Sequence, residues 1–286
     1  MAEPPNTPPR LSPVILFSYP FRIFFLSLAV QAVIIIPLWV GTVTGRLDLP
    51  LALPALAWPQ HEMIFAWLQA AIAGFLLTAV CVWTGTSRTQ GWPLAGLWGV
   101  WLMGRLLITL GESLPEWLVI GVNLLFIPLV MLDAGLRVWR ARQPRQIPIL
   151  LVLLGLWVMQ AAFLVNASAT AVDGALAMAM TLMLIIGGRI TPNFSQGWLR
   201  SRGLPTEGIT VIPWLEKSLL AVMALTFLAV LILPDPVTGV LAIVAGALAL
   251  GRIAAAAIAW LLVPAAVATW LLDRQLSNGY GNLVSQ

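Results

Sequence analysis

The sequence predicts an all-α polytopic membrane protein, a transmembrane helical bundle of about eight spans with both termini on the cytoplasmic side. Three observations carry this reading. First, 60% of the 286 residues are hydrophobic and only 9% are charged. A soluble domain carries about 25% charged residues, so this chain has too little polar surface to coat itself in water. Second, the apolar residues gather into separate runs, most of them near the roughly 20 residues that cross a hydrocarbon core. Third, the basic residues fall in alternate gaps between those runs.

Residues 1–20 are polar and Pro-rich and lack the apolar core and cleavage site of a secretory signal. They are expected to form a disordered cytoplasmic arm, followed by a transmembrane domain over 21–272 and a cytoplasmic tail over 273–286. The apolar runs lie near 21–43, 62–83, 93–110, 115–136, 147–167, 170–187, 215–233 and 237–263. They are helices, because an isolated strand leaves its backbone unsatisfied in lipid and the runs lack the alternation of a barrel. The last run is the least regular. Continued to residue 272 it would make a helix of roughly 54 Å, too long for one straight span. One span broken or kinked at Pro264 is expected, in preference to two spans meeting at Gly251-Arg252. In the second run Ala66, Ala70, Gly74 and Thr78 recur every four residues, a spacing that lets a neighbouring backbone approach closely.

Orientation follows from the arginines. Arg137, Arg140, Arg142 and Arg145 occupy the gap between the fourth and fifth runs, which makes that gap cytoplasmic. Arg10, Arg22, Arg88, Arg189, Arg200, Arg202 and Arg274 then fall on the same side, against Arg46 alone on the other. This pattern also explains the sequence pI near 10.2: the excess positive charge sets topology and forms no face for nucleic acid. The implied partner is the lipid bilayer.

The chemistry available is narrow. Cys81 is the only cysteine and sits in an apolar run, which excludes a disulfide framework or a cysteine-rich metal site and suits a packing role. No catalytic motif is present, so an enzyme is the less favoured reading. His61 is the only histidine, opening His61-Glu62-Met63 at the outer end of the second run. Imidazole and thioether both ligate haem iron and copper, which makes His61 and Met63 candidate metal ligands. On a regular helix the two would sit about 200° apart, whereas an extended start would bring them to one side. The competing reading is an interfacial helix start, with Trp58 anchored among the headgroups, Pro59 in the first turn and Glu62 favoured by the positive helix end. In that setting His61 has little core to lose, and His61→Ala should hardly alter folding.

Arg105 lies about two turns inside the third run, at the level of Glu62 on the antiparallel second run, so the two can pair. Glu112 could instead draw the guanidinium outward. Asp133 and Arg137 form an i, i+4 pair, Arg252 reaches for the cytoplasmic interface, and Met178, Met180 and Met183 read as core filler.

The stretch Trp58-Pro59-Gln60-His61-Glu62-Met63-Ile64-Phe65, followed by Ala73 to Val80 and Trp83-Thr84-Gly85, resembles the NnrS family. Phe21-Arg22-Ile23-Phe24-Phe25, Trp101-Leu102-Met103-Gly104-Arg105 and Gly187-Gly188-Arg189-Ile190-Thr191-Pro192 look like further blocks of that family in the expected order. The resemblance implies a bacterial inner-membrane protein linked to the nitric oxide or nitrosative-stress response through haem or copper. It makes His61 and Met63 metal ligands, with Glu62 and Arg105 supporting them or meeting a haem propionate. Family members often read W-H-x-H-E-M, whereas Pro59 here stands in place of the first histidine; a symmetric homo-oligomer could supply a second imidazole. Typical members are longer, so the chain looks like a short or truncated one. The alternatives are a metal-free helical transporter or channel-like protein, with Glu62 and Arg105 lining a polar cavity, and a non-functional remnant.

Overall fold

The computed structural model describes residues 13–203, 206 and 212–254. Among them every regular element is helical, and eight helices are long and apolar enough to span a membrane. These are α1 (Pro20–Val43), α2 (Ala57–Thr84), α3 (Trp92–Leu110), α4 (Glu116–Arg140), α5 (Pro144–Asn166), α6 (Ala169–Ser201), α7 (Pro213–Ile232) and α8 (Asp235–Ala254). The chain divides into two compact units, Met1–Ala179 and Met180–Gln286, with the division inside α6.

The helix boundaries have local causes. Proline stands in the first turn of α1, α3, α5 and α7, where its missing N–H would have had no intrahelical partner. Gly85 ends α2 in the left-handed conformation at φ 66°, a backbone shape that glycine adopts without strain. Before α1, Pro13–Leu16 forms a single helical turn.

In the first unit α2 is the central helix, packed on α1 and α4 and touching α3 and α5 around its first turns. The four-residue small stripe explains part of this. A side chain at Gly74 would meet the Phe25 ring at 2.9 Å and Phe24 Cβ at 3.1 Å, so α1 rests directly on the α2 backbone. At the other end of α2 the α1–α2 connection folds back over the bundle. Ala52 N–H donates to Ile108 O at 3.0 Å and Glu112 N–H to Pro50 O at 3.0 Å. Leu51, Ala52 and Leu53 then close over a core of Ile35, Trp58, Ile108, Val119 and Leu164. Trp58 is fully buried there and donates Nε1–H to Thr109 Oγ1 at 3.2 Å. It is a core residue and not the headgroup anchor expected from the sequence, because this returning loop covers it.

The Asp133–Arg137 pair forms as expected at 3.0 Å. The guanidinium also reaches Ser87 O, Thr86 Oγ1 and Thr89 Oγ1, which ties the α2–α3 turn to α4.

In the second unit α8 runs without interruption through Gly251 and Arg252, which removes the two-span alternative there. The kink expected at Pro264 and the proposed tail lie outside the described residues. Arg252 is paired with neighbouring helices. Its Nε lies 3.2 Å from Glu216 Oε1 on α7, and its Nη1–H donates to Leu184 O on α6 at 3.0 Å. Gly187 and Gly188 make the space: a Cβ on Gly188 would lie 2.8 Å from Glu216 Oε2.

Candidate functional site

The helical hydrogen-bond pattern changes where α2 carries its polar residues. Ala57–Gln60 is α-helical, His61–Ala66 is a π-helical turn, and Trp67 resumes the α-helix. Trp67 N–H bonds to Glu62 O, the i→i−5 closure of a π turn. The widened turn sets His61, Glu62, Phe65 and Ala66 all toward the interior. Met63 faces the opposite way and is 53% exposed.

His61 and Glu62 are both 0% exposed, and Arg105 is 8% exposed. The Glu62–Arg105 pair expected from the sequence is present, with Arg105 Nε 3.2 Å from Glu62 Oε1. It is an ion contact without an aligned hydrogen bond, since Arg105 Nε and Nη1 have no hydrogen-bond partner. The guanidinium is held elsewhere: Nη2–H donates to Asn123 Oδ1 on α4, and the group lies 5.7 Å from the Trp101 ring centroid. Asn123 is itself fixed, donating Nδ2–H to Val119 O at 2.8 Å and to Gly104 O at 3.4 Å. Glu112 takes no part and lies exposed beyond the end of α3.

Glu62 is better satisfied than its partner. Gln31 on α1 donates Nε2–H to Glu62 Oε2 at 2.9 Å, and His61 Nδ1 lies 3.2 Å from Glu62 Oε1. An ionised carboxylate only accepts, so the proton of a neutral His61 belongs on Nδ1. His61 Nε2 is then the acceptor, and Gln160 Nε2 on α5 stands 3.3 Å from it in position to donate. Gln160 Oε1 accepts from Gln69 Nε2 at 2.6 Å, which fixes the direction of that amide. The imidazole ring lies between Phe65 and Phe163, at centroid distances of 5.7 and 6.2 Å.

Five helices therefore converge on one enclosed network of Gln31, His61, Glu62, Gln69, Arg105, Asn123 and Gln160. The sequence reading named three of these and missed the amides. The available signal was four neutral amide side chains inside otherwise apolar spans, where each needs a partner. Met178 is buried while Met180 and Met183 are exposed, so these three methionines do not converge.

Fold and site together define a polytopic helical membrane protein with a charged centre closed inside its first unit. The chain belongs to the NnrS family: the family model described as NnrS protein matches residues 15–273, most of its length. No curated protein and no solved structure matches the chain.

The family is generally associated with haem and copper. The donors of this chain do not fit either group as arranged. His61 is enclosed on all sides, with Nδ1 turned to Glu62 and Nε2 to Gln160, and Met63 faces away from it. Among the described residues no three or more His, Cys, Asp or Glu side chains come together as a metal site.

Proposed function

We propose that this protein acts in the bacterial nitric oxide or nitrosative-stress response, as an inner-membrane protein whose functional centre is Glu62–Arg105. The observation that supports the response is membership of the NnrS family across residues 15–273. The support for the centre is physical. Enclosing a carboxylate and a guanidinium costs several kcal/mol per ion, and well-packed apolar residues would often serve stability as well or better. Ionisable groups inside spans therefore mark functional sites by default.

Haem or copper enters this reading through the family association alone. His61 could offer Nε2 to either only after Gln160 turned away. The orientation proposed is that of the arginine pattern, with the Arg137–Arg145 gap cytoplasmic.

A second reading, a metal-free transporter, draws on a different observation. Glu62 and Arg105 both line a cavity of ≈680 Å³ between α1 and α3. Its remaining walls are almost wholly apolar, which favours a lipophilic solute over an ion.

The two readings separate in a bacterial strain deleted for the gene and challenged with a nitric oxide donor. The nitric oxide reading predicts impaired growth of the deletion strain under the donor alone, restored by the wild-type gene. Equal growth of the two strains across donor concentrations would overturn it.

A further inference from the structure

The imidazole of His61 has both of its nitrogens committed. Nδ1 lies 3.2 Å from Glu62 Oε1, and Nε2 lies 3.3 Å from Gln160 Nε2. A neutral imidazole carries one ring proton and one free lone pair. The carboxylate only accepts, so the proton stands on Nδ1 and the Nε2 lone pair takes the Gln160 amide proton. A doubly protonated ring would have no lone pair to give. Metals bind the neutral ring through that lone pair, and neither form leaves one free.

The surroundings hold the ring in this state. It lies between the buried rings of Phe65 and Phe163. Gln160 is tied as well: its Oε1 accepts from Gln69 Nε2 at 2.6 Å, and its Nε2 also lies 3.4 Å from Asn123 O. Freeing His61 Nε2 would break this buried chain of amides, and every polar group left unpaired there is penalised. The cavity between α1 and α3 is lined by Glu62 and Arg105 but not by His61. Here the chain and the haem and copper association of its family disagree.

What the ring does instead follows from the π turn. On a regular helix consecutive side chains point about 100° apart and do not face each other. The π turn over His61–Ala66 sets His61 and Glu62 to the same side. Glu62 Oε1 then meets His61 Nδ1 and Arg105 Nε, each at 3.2 Å, while Oε2 accepts from Gln31 at 2.9 Å. One neutral donor on each oxygen fixes the plane of the carboxylate. Gln31 alone would leave Oε1 free to swing away from Arg105, whose Nε makes no aligned hydrogen bond to retain it.

We propose that His61 positions Glu62 through its Nδ1–H and ligates neither haem nor copper. The positioning role rests on the reading of Glu62–Arg105 as the functional centre; the exclusion of metal does not.

The test begins with nitrogen NMR of the full-length protein in lipid nanodiscs, isotope-labelled at histidine. His61 is the only histidine, so the signals are those of one ring. The proton is expected on Nδ1, with Nε2 unprotonated, and one equivalent of copper(I) should shift neither signal. Ferric haem should give the wild type and His61→Asn the same optical spectrum. A proton on Nε2 alone would overturn the positioning role. A copper(I) shift of the Nε2 signal, or a Soret band lost in His61→Asn, would overturn the exclusion of metal. The histidine spectra need only the wild type.

The role is then read by complementing the gene-deleted strain under a nitric oxide donor at matched membrane abundance. Asparagine and leucine have similar shapes, but only asparagine offers an amide N–H in the direction of Nδ1–H. His61→Asn should restore growth and His61→Leu should not. Restoration by both, or by neither while the wild type restores, would overturn the positioning role. Failure of the wild type itself to restore growth counts against the nitric oxide reading alone, and the ring spectra then decide the inference.

Discussion

Replacing Glu62 and Arg105 singly and together is the sharpest test of the buried centre, because the structure predicts an unequal pair of single effects. Glu62→Gln strands the guanidinium with one hydrogen bond, to Asn123, and the Trp101 ring. Arg105→Gln strands the carboxylate with two partners still in place, Gln31 and His61. Breaking a buried pair by removing one member costs about 3–5 kcal/mol. Glu62→Gln should therefore fall near the upper end of that range and Arg105→Gln near the lower. The double variant removes both charges and should cost less than the sum, by about 1–3 kcal/mol. Cys81 provides the assay, being the only cysteine of the chain and buried in the folded state. A thiol-reactive dye reports its exposure during denaturant unfolding in detergent. Strict additivity would show that the two charges do not meet and would refute the site geometry.

Three further outcomes follow. Alkaline-phosphatase fusions after Glu112 and Asp173 should be active and fusions within 137–145 silent; the reverse pattern would invert the proposed orientation. His61→Ala should destabilise by about 3 kcal/mol, since it opens space between two phenylalanines and unpairs Gln160, while Met63→Ala should stay within about 0.5 kcal/mol. Equal effects of these two in the same unfolding assay would contradict the opposite facings of the side chains. Gly104→Ala should cost about 1–3 kcal/mol, because its Cβ would lie 2.9 Å from the Asn123 Oδ1 that holds Arg105; an unchanged unfolding midpoint would show that Asn123 is free to move.

The His61 outcome departs from what the sequence suggests, and the reason is physical. Span number and most limits were legible because apolar run length is a local property set by bilayer thickness, whereas the sixth helix continues to Ser201, past the apolar run expected to end near 187. The Glu62–Arg105 pair was legible because depth along two antiparallel spans can be counted from their ends. The burial of Trp58 was not, since it depends on residues 50–53 folding back over α3, and that of His61 was not, since Phe163 and Gln160 reach it from α5; both are long-range contacts without a local signature. Nor was the π turn, which sets His61 and Glu62 inward together. The amides come from α1, α2, α4 and α5 and meet only through packing. The pairing of Arg252 was hidden for the same reason: its partner Glu216 lies 36 positions earlier in the chain, on α7, and Gly187 and Gly188 of α6 supply the space.

The most direct measurement of the account is growth of the gene-deleted strain under a nitric oxide donor when complemented by wild type, Glu62→Gln or Met63→Ala, each quantified in the membrane. The wild type and Met63→Ala should restore growth, and Glu62→Gln, inserted at a matched level, should not. Full restoration by Glu62→Gln at matched membrane abundance would contradict the assignment of the functional centre.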